Sequence, residues 1–222
     1  FPGSGPYVEL GRGPDYSWSA TSSGTDIIDQ FAERLCHGSD TRYVFRGRCL
    51  DMTDFDAGTL GPGAGPPAGP VKFRETVHGP VVGYATARGD RVAISSKRST
   101  RGREMVSSLG FEDFNTGVDS ARSFIDAASR IELSFNWFYA DKDDIAVFSS
   151  GRVPMRDGGV DLGLPTDGTG RSEWRGFVRA KDHPQTISPA SAKIINWNNK
   201  PAPGWTAADN EWSYGSVHRV DL

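Results

Sequence analysis

The stretch FNWFYADKDDIAVF, residues 135–148, decides the fold of this chain. Two runs rich in aromatic and β-branched residues, 135–139 and 145–148, flank a charged stretch at 141–144. Strand-forming residues on both sides of a short polar turn are typical of an antiparallel hairpin. The stretch therefore predicts two paired strands.

The sequence before the hairpin predicts one helix and a series of strands. Between residues 120 and 131 the apolar side chains recur at helical spacing, and Asp119 can cap the first turn. Alternating or β-branched patterns predict further strands at 7–10, 15–21, 42–46, 72–77, 81–84 and 91–96. The expected class is α+β, strand-dominated, with two or three helices.

Composition excludes several classes of protein. Hydrophobic residues make up 36% of the 222 residues, which is enough for a packed core and excludes global disorder. The net charge of −3 argues against a nucleic-acid binder, and no run of 18 apolar residues predicts a membrane span. The chain opens with FPGSGPYVEL and no Met. That opening indicates a processed or truncated product.

The stretch GTLGPGAGPPAGP, residues 58–70, is dominated by Gly and Pro. Such a stretch forms neither a helix nor a central strand. Strand-like patterns of similar composition lie on both sides, so a surface loop is expected rather than a domain linker.

Cys36 and Cys49 are the two cysteines of the chain, 13 positions apart with a turn-like segment between them. This spacing suits a disulfide that closes a hairpin, and the alternative is a pair of reduced structural thiols. A zinc site would need further Cys or His at short spacing. A disulfide would imply an extracellular or periplasmic location.

No self-sufficient catalytic motif is present. The sequence lacks the GxSxG, SxxK and HExxH patterns, and no two histidines have metal-ligand spacing. His78 lies in an expected turn and His183 precedes a proline, so both are interpreted as structural. Acidic pairs are present, but a glycosidase would need two carboxylates facing each other across a cleft.

Three ordered blocks carry a family resemblance. They are GRGPDYSWSATSSGTDIIDQFAERL at 11–35, NWFYADKDDIAVFSSGRVPMR at 136–156 with LPTDGTGRSEW at 164–174, and IINWNNKPAPGWTAAD at 194–209 followed by HRV. Together with TVHG at 76–79, they resemble the β subunit of the penicillin acylase family. The resemblance implies an αββα N-terminal-nucleophile hydrolase sandwich. It also implies an amidohydrolase for an acyl amide, such as a penicillin-type antibiotic, an acyl-homoserine lactone or a lipopeptide acyl chain.

The family's nucleophile is an N-terminal Ser of the β subunit, whose own α-amino group is the base. This chain begins with Phe1, which has no hydroxyl or thiol. The resemblance therefore implies that residues 1–222 are a single partial domain from inside a β subunit, inactive alone. Its expected partners are the α subunit, the remaining β-subunit segments and a small acyl-amide substrate, with no nucleic acid and no membrane.

The resemblance assigns the oxyanion hole. The family uses one backbone N–H and one Asn side chain, which map onto Ser22 and Asn198. Arg219 matches an Arg that helps to hold the nucleophile region. Asn196 and Asn199 are interpreted as structural.

The resemblance also implies an acyl pocket. Ala20 and Phe135 map near positions that line it. Gly24 falls where members that prefer aromatic acyl groups carry a bulky ring, so it would leave room for a longer acyl chain.

A calcium site in the parent enzyme is also implied. Its ligands would be Asp26, Asp29 and Asp209 with the carbonyls of Ile28 and Leu162, completed by the α subunit. The alternative is that Asp26 and Asp29 cap a helix or bind an Arg.

One different class of function stays open. The chain could be a secreted, non-catalytic binding domain, for instance for carbohydrate, that uses exposed Trp and Asn. A binding module has no reason to combine an oxyanion donor with calcium ligands. The joint presence of the first and third blocks therefore favours the enzyme.

Overall fold

A computed structural model of the chain describes residues 7–61, 69–207 and 214. Its strands in chain order are β1 (Gly11–Arg12), β2 (Ser17–Ser22), β3 (Ile28–Arg34), β4 (Arg42–Phe45), β5 (Arg48–Asp51), β6 (Thr53–Leu60), β7 (Gly69–Thr76), β8 (Gly79–Ala87), β9 (Asp90–Arg98), β10 (Phe135–Ala140), β11 (Ile145–Ser149), β12 (Thr166–Asp167) and β13 (Gln185–Ile187). The α-helices are α1 (Ser108–Thr116) and α2 (Ala121–Ala128), and single 3₁₀ turns lie at Glu104–Ser107 and Ala180–Asp182. This content confirms a strand-dominated α+β chain.

The chain divides into two compact units. The helix-bearing unit contains the residues up to Ile27, Ser99–Met155 and those from Arg175 onward. The disulfide-bearing unit contains Ile28–Arg98 and Arg156–Trp174. The expectation of one partial domain over 1–222 stays a prediction.

The helix-bearing unit is built on an antiparallel sheet of order β1-β2-β10-β11-β13. The hairpin of β10 and β11 forms as predicted, with Trp137 opposite Phe148. Its turn closes because Asp141 Oδ1 accepts the backbone N–H groups of Asp143 and Asp144 at 2.7 and 2.6 Å.

Helices α1 and α2 pack with this sheet through an aromatic core. Phe114 and Phe124 stack at 4.9 Å between ring centroids, and Phe114 also lies 5.1 Å from Trp137. All three side chains are buried to within 1% of full coverage. Burying a large apolar side chain contributes roughly 1.5–3 kcal/mol, so these contacts hold the helices against the sheet.

Two expectations for this unit need correction. Residues 7–10 form no strand, and the short strand β1 begins at Gly11 instead, because pairing with Ser17 and Trp18 fixes it. The cap of α2 is Ser120, whose hydroxyl accepts the Ser123 N–H at 3.3 Å, and not Asp119. Helix α1 was not predicted.

The disulfide-bearing unit contains a six-stranded sheet of order β12-β3-β9-β8-β7-β6. β12 pairs parallel to β3, and the other neighbours are antiparallel. The turn that joins β7 to β8 was expected at 78–80 and lies at 77–78, because Gly79 and Pro80 already pair within β8. Gly79 has a φ of 123°. A second small sheet pairs β4 with β5.

The loop expected over 58–70 is shorter than predicted. Residues 58–60 belong to β6 and residues 69–70 to β7, with Thr59 opposite Pro70 and Leu60 opposite Gly69. Pro70 is tolerated because β7 pairs with β8 only near Thr76, so the missing N–H removes no bond on that side. Most of the remaining stretch, 62–68, lies outside the described residues.

Cys36 and Cys49 form a disulfide, which confirms that prediction over the reduced pair. The bond joins the segment between β3 and β4, which contains Cys36, to Cys49 of β5.

In the described part of the chain no helix is both long and apolar enough to cross a membrane.

Candidate active site

Ser22 and Asn198, the two expected oxyanion donors, both lie in the helix-bearing unit. Ser22 is the last residue of β2, opposite Phe135 of β10. Asn198 is exposed and has a φ of 68°, in the left-handed region that few non-glycine residues adopt. Such a conformation turns the backbone sharply.

A hydrogen-bond bridge connects the two donor segments. Thr21, next to Ser22 in β2, donates its hydroxyl to Asn196 Oδ1 at 2.7 Å. The same oxygen accepts the backbone N–H of Asn198 at 3.0 Å. The end of β2 and the Asn198 turn are therefore held together by one carbonyl oxygen.

The bridge continues into the sheet through Asn136. Asn136 is fully buried in β10, and its Nδ2 lies 3.3 Å from both Thr21 Oγ1 and the Ser22 carbonyl oxygen. Its Oδ1 accepts the hydroxyl of Ser149 at 2.6 Å. Every polar atom of this buried amide is used, as burial requires.

A mainly apolar cavity of about 350 Å³ lies beside Ser22. Its lining includes Ala20, Phe135, Phe111 and Trp137. A volume of this size suits a small ligand. Two of the three expected acyl-pocket residues therefore share one cavity that borders an expected oxyanion donor.

The other expected residues of this unit lie elsewhere. Gly24 has a φ of 57° and is not part of the cavity lining given by the described residues. Asn199 accepts the N–H of Trp197 at 3.2 Å, which stabilises the turn. Arg219 and Asp209 lie outside the described residues.

Asp29 of the expected calcium set is paired with an arginine in the disulfide-bearing unit. Arg156 donates Nε and Nη2 to Asp29 at 2.7–2.9 Å, and Trp174 Nε1 donates to Asp29 Oδ2. Both charged side chains are under 10% exposed. The arrangement matches the alternative in which Asp29 binds an Arg.

Two acids of the expected calcium set, Asp26 and Asp29, are buried. Asp29 already neutralises Arg156. Within 7–61, 69–207 and 214, no three His, Cys, Asp or Glu side chains gather as metal ligands. Calcium wants six to eight oxygens, so the site stays a prediction and enters no step below.

A buried ionic network surrounds His78 in the disulfide-bearing unit. Its Nδ1 lies 2.7 Å from Glu33 Oε1 and its Nε2 lies 2.6 Å from Glu173 Oε1. Lys97 contacts the other oxygen of Glu173 at 2.9 Å. Phe31 stacks on the imidazole at 3.9 Å, which closes that face of the ring to water.

The network shifts two pKa values. Burial alone would lower the pKa of His78, but its hydrogen bonds to Glu173 and Glu33 outweigh burial and raise it. The hydrogen bond from His78, aided by Lys97, lowers the pKa of Glu173 to about 2 despite burial. Both ring nitrogens of His78 face carboxylate oxygens, and the raised pKa of His78 favours its imidazolium form.

Sequence reasoning missed both polar systems, although each left a signal. In β3 the alternate residues Asp29, Phe31 and Glu33 share one buried face, so acids stand where apolar residues are expected. Asn136 likewise interrupts an aromatic strand. A buried polar residue in a strand indicates a partner elsewhere, and only the structure identifies that partner.

Comparison with known proteins adds three findings. A family model described as penicillin amidase matches residues 1–222. Penicillin G acylase of Escherichia coli is 29% identical over 217 residues, which cover 97% of this chain and 25% of that protein. The chain therefore spans a quarter of the length of this relative.

A solved structure shows the same fold. The thermostable penicillin G acylase from Alcaligenes faecalis superposes with a TM-score of 0.84 at 31% identity. The match covers 97% of this chain and 38% of the other.

Proposed function

The chain belongs to the penicillin amidase family, and on that premise we propose that it supplies the oxyanion hole and one wall of the acyl pocket of an acyl-amide hydrolase. The observation that carries the proposal is the link between Ser22 and Asn198. The two donors sit on segments joined through Thr21 and Asn196, and one of them, Ser22, lines a cavity with aromatic walls.

In the proposed reaction a Ser hydroxyl attacks the amide carbonyl, and its proton passes to the α-amino group of the same residue. The carbonyl electrons move to the oxygen, which becomes an oxyanion. The backbone N–H of Ser22 and the side-chain NH2 of Asn198 donate to that oxygen. Each such donor is worth about 3 kcal/mol of transition-state stabilisation.

Collapse of the tetrahedral intermediate breaks the C–N bond, and the protonated base gives its proton to the leaving amine. Water then attacks the acyl-serine and gives its proton to the α-amino group, and the same donors hold the second oxyanion. Collapse breaks the bond between the acyl carbon and the Ser oxygen, the proton returns to that oxygen, and the acid leaves. Arg219 is proposed to hold the nucleophile region. The nucleophile is proposed to come from outside residues 1–222, together with an α subunit and further β-subunit segments.

The substrate is proposed to be an amide with an apolar acyl group. The lining by Ala20, Phe135 and Trp137 favours an apolar chain. Gly24 is proposed to admit a longer acyl group than a bulky ring would, as in an acyl-homoserine lactone or a lipopeptide rather than a phenylacetyl antibiotic. Faster cleavage of phenylacetyl amides than of long aliphatic amides would contradict this assignment.

The disulfide between Cys36 and Cys49 supports a proposed extracellular or periplasmic location. Disulfides form and persist in such oxidising compartments. Fractionation of the native host, with the protein detected in the cytoplasm, would contradict it.

The test uses the complete gene product that carries these 222 residues. Asn198→Gly keeps the left-handed backbone at no steric cost and removes the amide donor. We expect kcat to fall about 10²–10³-fold on a chromogenic acyl anilide, with little change in KM. Lys200→Ala, at an exposed position in the same segment, is the matched control.

Full activity of Asn198→Gly would refute the assignment of the oxyanion hole. Binding of oligosaccharides without any acylase activity of the complete protein would favour the binding-domain alternative. The 222 residues alone, which span a quarter of the length of the Escherichia coli relative, are proposed to give no turnover.

A further inference from the structure

We propose that Thr21 and Asn196 are positioning residues that set the separation of the two oxyanion donors. Neither would touch the substrate oxygen. This inference rests on the proposed function, because it assigns to these residues an effect that acts through Asn198.

The protons of the bridge have a single consistent arrangement. The Ser22 carbonyl can only accept a hydrogen bond, so the Asn136 group that faces it is the NH2. The Asn198 N–H can only donate, so the Asn196 group that faces it is Oδ1. Thr21 has one hydroxyl proton, and it must go to Asn196 Oδ1.

The hydrogen bonds therefore run in one direction. Ser149 donates to Asn136, Asn136 donates to Thr21, and Thr21 donates to Asn196. Hydrogen bonds aligned in a chain polarise one another and strengthen. The chain leads from the buried sheet to the exposed turn that carries Asn198.

The buried end of this hydrogen-bond chain, at Asn136 and Ser149, is held in place by the sheet. Asn136 is 0% and Ser149 is 1% exposed, and both belong to paired strands. The turn at Asn198 lies outside any strand and is exposed. The hydrogen bond from Thr21 to Asn196 thus fixes the position of the exposed turn relative to the buried sheet.

Packing alone does not require these polar groups. A buried amide in an aromatic strand costs free energy unless all its hydrogen bonds form, whereas an apolar residue would pack without that requirement. The polar chain begins at Ser149 in β11, crosses β10 and β2 of the same sheet, and ends at the Asn198 backbone. Orientation of the two oxyanion donors, Ser22 and Asn198, would explain why the hydrogen bonds follow this path.

The test compares Thr21→Val with Thr21→Ser in the complete gene product. Valine keeps the β-branched shape but removes the hydroxyl, whereas serine keeps the hydroxyl. We expect Thr21→Val to lower kcat about tenfold, which corresponds to about 1.4 kcal/mol. Thr21→Ser should stay within about twofold of the wild type.

Three further readouts separate positioning from a structural effect. KM should be unchanged in Thr21→Val, and the loss of kcat should persist well below its melting temperature, which the loss of the Asn136 acceptor lowers. Affinity for a boronic acid analogue, which forms a tetrahedral adduct, should fall with kcat, whereas affinity for the product acid should not. In an Asn198→Gly background, Thr21→Val should cost no more than about twofold, because its effect acts through Asn198.

Each outcome decides a separate claim. If Asn198→Gly is impaired but Thr21→Val and Asn196→Ala are fully active, the positioning role is overturned and the proposed function stands. Equal losses in Thr21→Ser and Thr21→Val, or a full loss that persists in the Asn198→Gly background, would also overturn it. If Asn198→Gly is fully active, the proposed function fails first.

Discussion

Replacement of His78 by leucine should remove the charge that compensates a buried carboxylate. Glu33 is fully buried, and its Oε1 accepts from His78, from Ser95 at 2.6 Å and from Thr76 at 2.7 Å. In His78→Leu the partners left to the carboxylate among the described residues are two neutral hydroxyl donors. Breaking a buried ion pair on one side costs about 3–5 kcal/mol.

The loss of ring stacking adds to this cost. Phe31 lies parallel to the imidazole at 3.9 Å, and an aromatic pair contributes about 0.5–1.5 kcal/mol. The two contributions together predict a loss of about 5 kcal/mol in the free energy of unfolding. Against a typical stability of about 5–15 kcal/mol, this is a large fraction.

The pH dependence gives a second measurement. Because the pKa of His78 is raised, the folded state binds more protons than the unfolded state, so the stabilisation is complete below the ordinary value of 6.5. It is lost as the pH rises through the raised pKa. Glu173 has the opposite sign, and its contribution is lost as the pH falls from 4.5 toward about 2.

Urea denaturation followed by Trp fluorescence, from about pH 2 to about pH 9, tests both statements. The wild type should lose stability on the alkaline side, and His78→Leu should lack that loss. His183 is a matched control, because burial lowers its pKa and its removal should leave the alkaline limb intact. In Glu33→Gln/His78→Leu the loss should be smaller than the sum of the single losses.

Two results would refute this reasoning. The first is a loss below about 1 kcal/mol in His78→Leu with an unchanged m-value. The second is an alkaline limb that survives in that variant. If His78→Leu does not fold, Glu173→Gln keeps the test available, since it should flatten the acid limb while the fold persists.

Three further predictions concern stability. Gly110→Ala places a Cβ 2.5 Å from the side chain of a neighbouring core residue and should cost about 1–3 kcal/mol in urea denaturation, whereas Gly117→Ala, with its nearest neighbour at 3.6 Å, should cost less. Reduction of Cys36–Cys49 should lower stability by about 3 kcal/mol, and an unchanged melting curve with dithiothreitol would contradict this. Arg156→Met leaves its carboxylate partner buried without a counter-charge and should cost about 3–5 kcal/mol. A neutral effect in calorimetry would contradict this.

The sequence predicted elements whose cause is local. The β10–β11 hairpin followed from two aromatic runs around a charged turn, and α2 followed from helical spacing. The expected strand at 7–10 was wrong because alternation cannot identify a pairing partner, and the partner of β2 on that side is Gly11–Arg12. Helix α1 was missed because its sequence, SLGFEDFNT, buries few residues along its length.

The candidate site was predicted by resemblance and not by local pattern. Ser22 and Asn198 are 176 positions apart, so no periodicity relates them. The bridging residues could not be found in advance for the same reason. The hydrogen bonds that join Thr21, Asn136 and Asn196 can be recognised only once the structure shows that these three distant segments lie together.

Both polar systems raise the same energetic question. An apolar residue at Asn136 or His78 would avoid desolvation, and replacing a whole buried ion pair by apolar residues is often neutral or stabilising. Each position nevertheless satisfies its polar partners at 2.6–3.3 Å. Hydrogen bonds are directional whereas apolar contacts are not, so these groups fix orientation where packing would fix only proximity. An oxyanion hole needs orientation, because its donors must point at an atom that acquires charge only during the reaction.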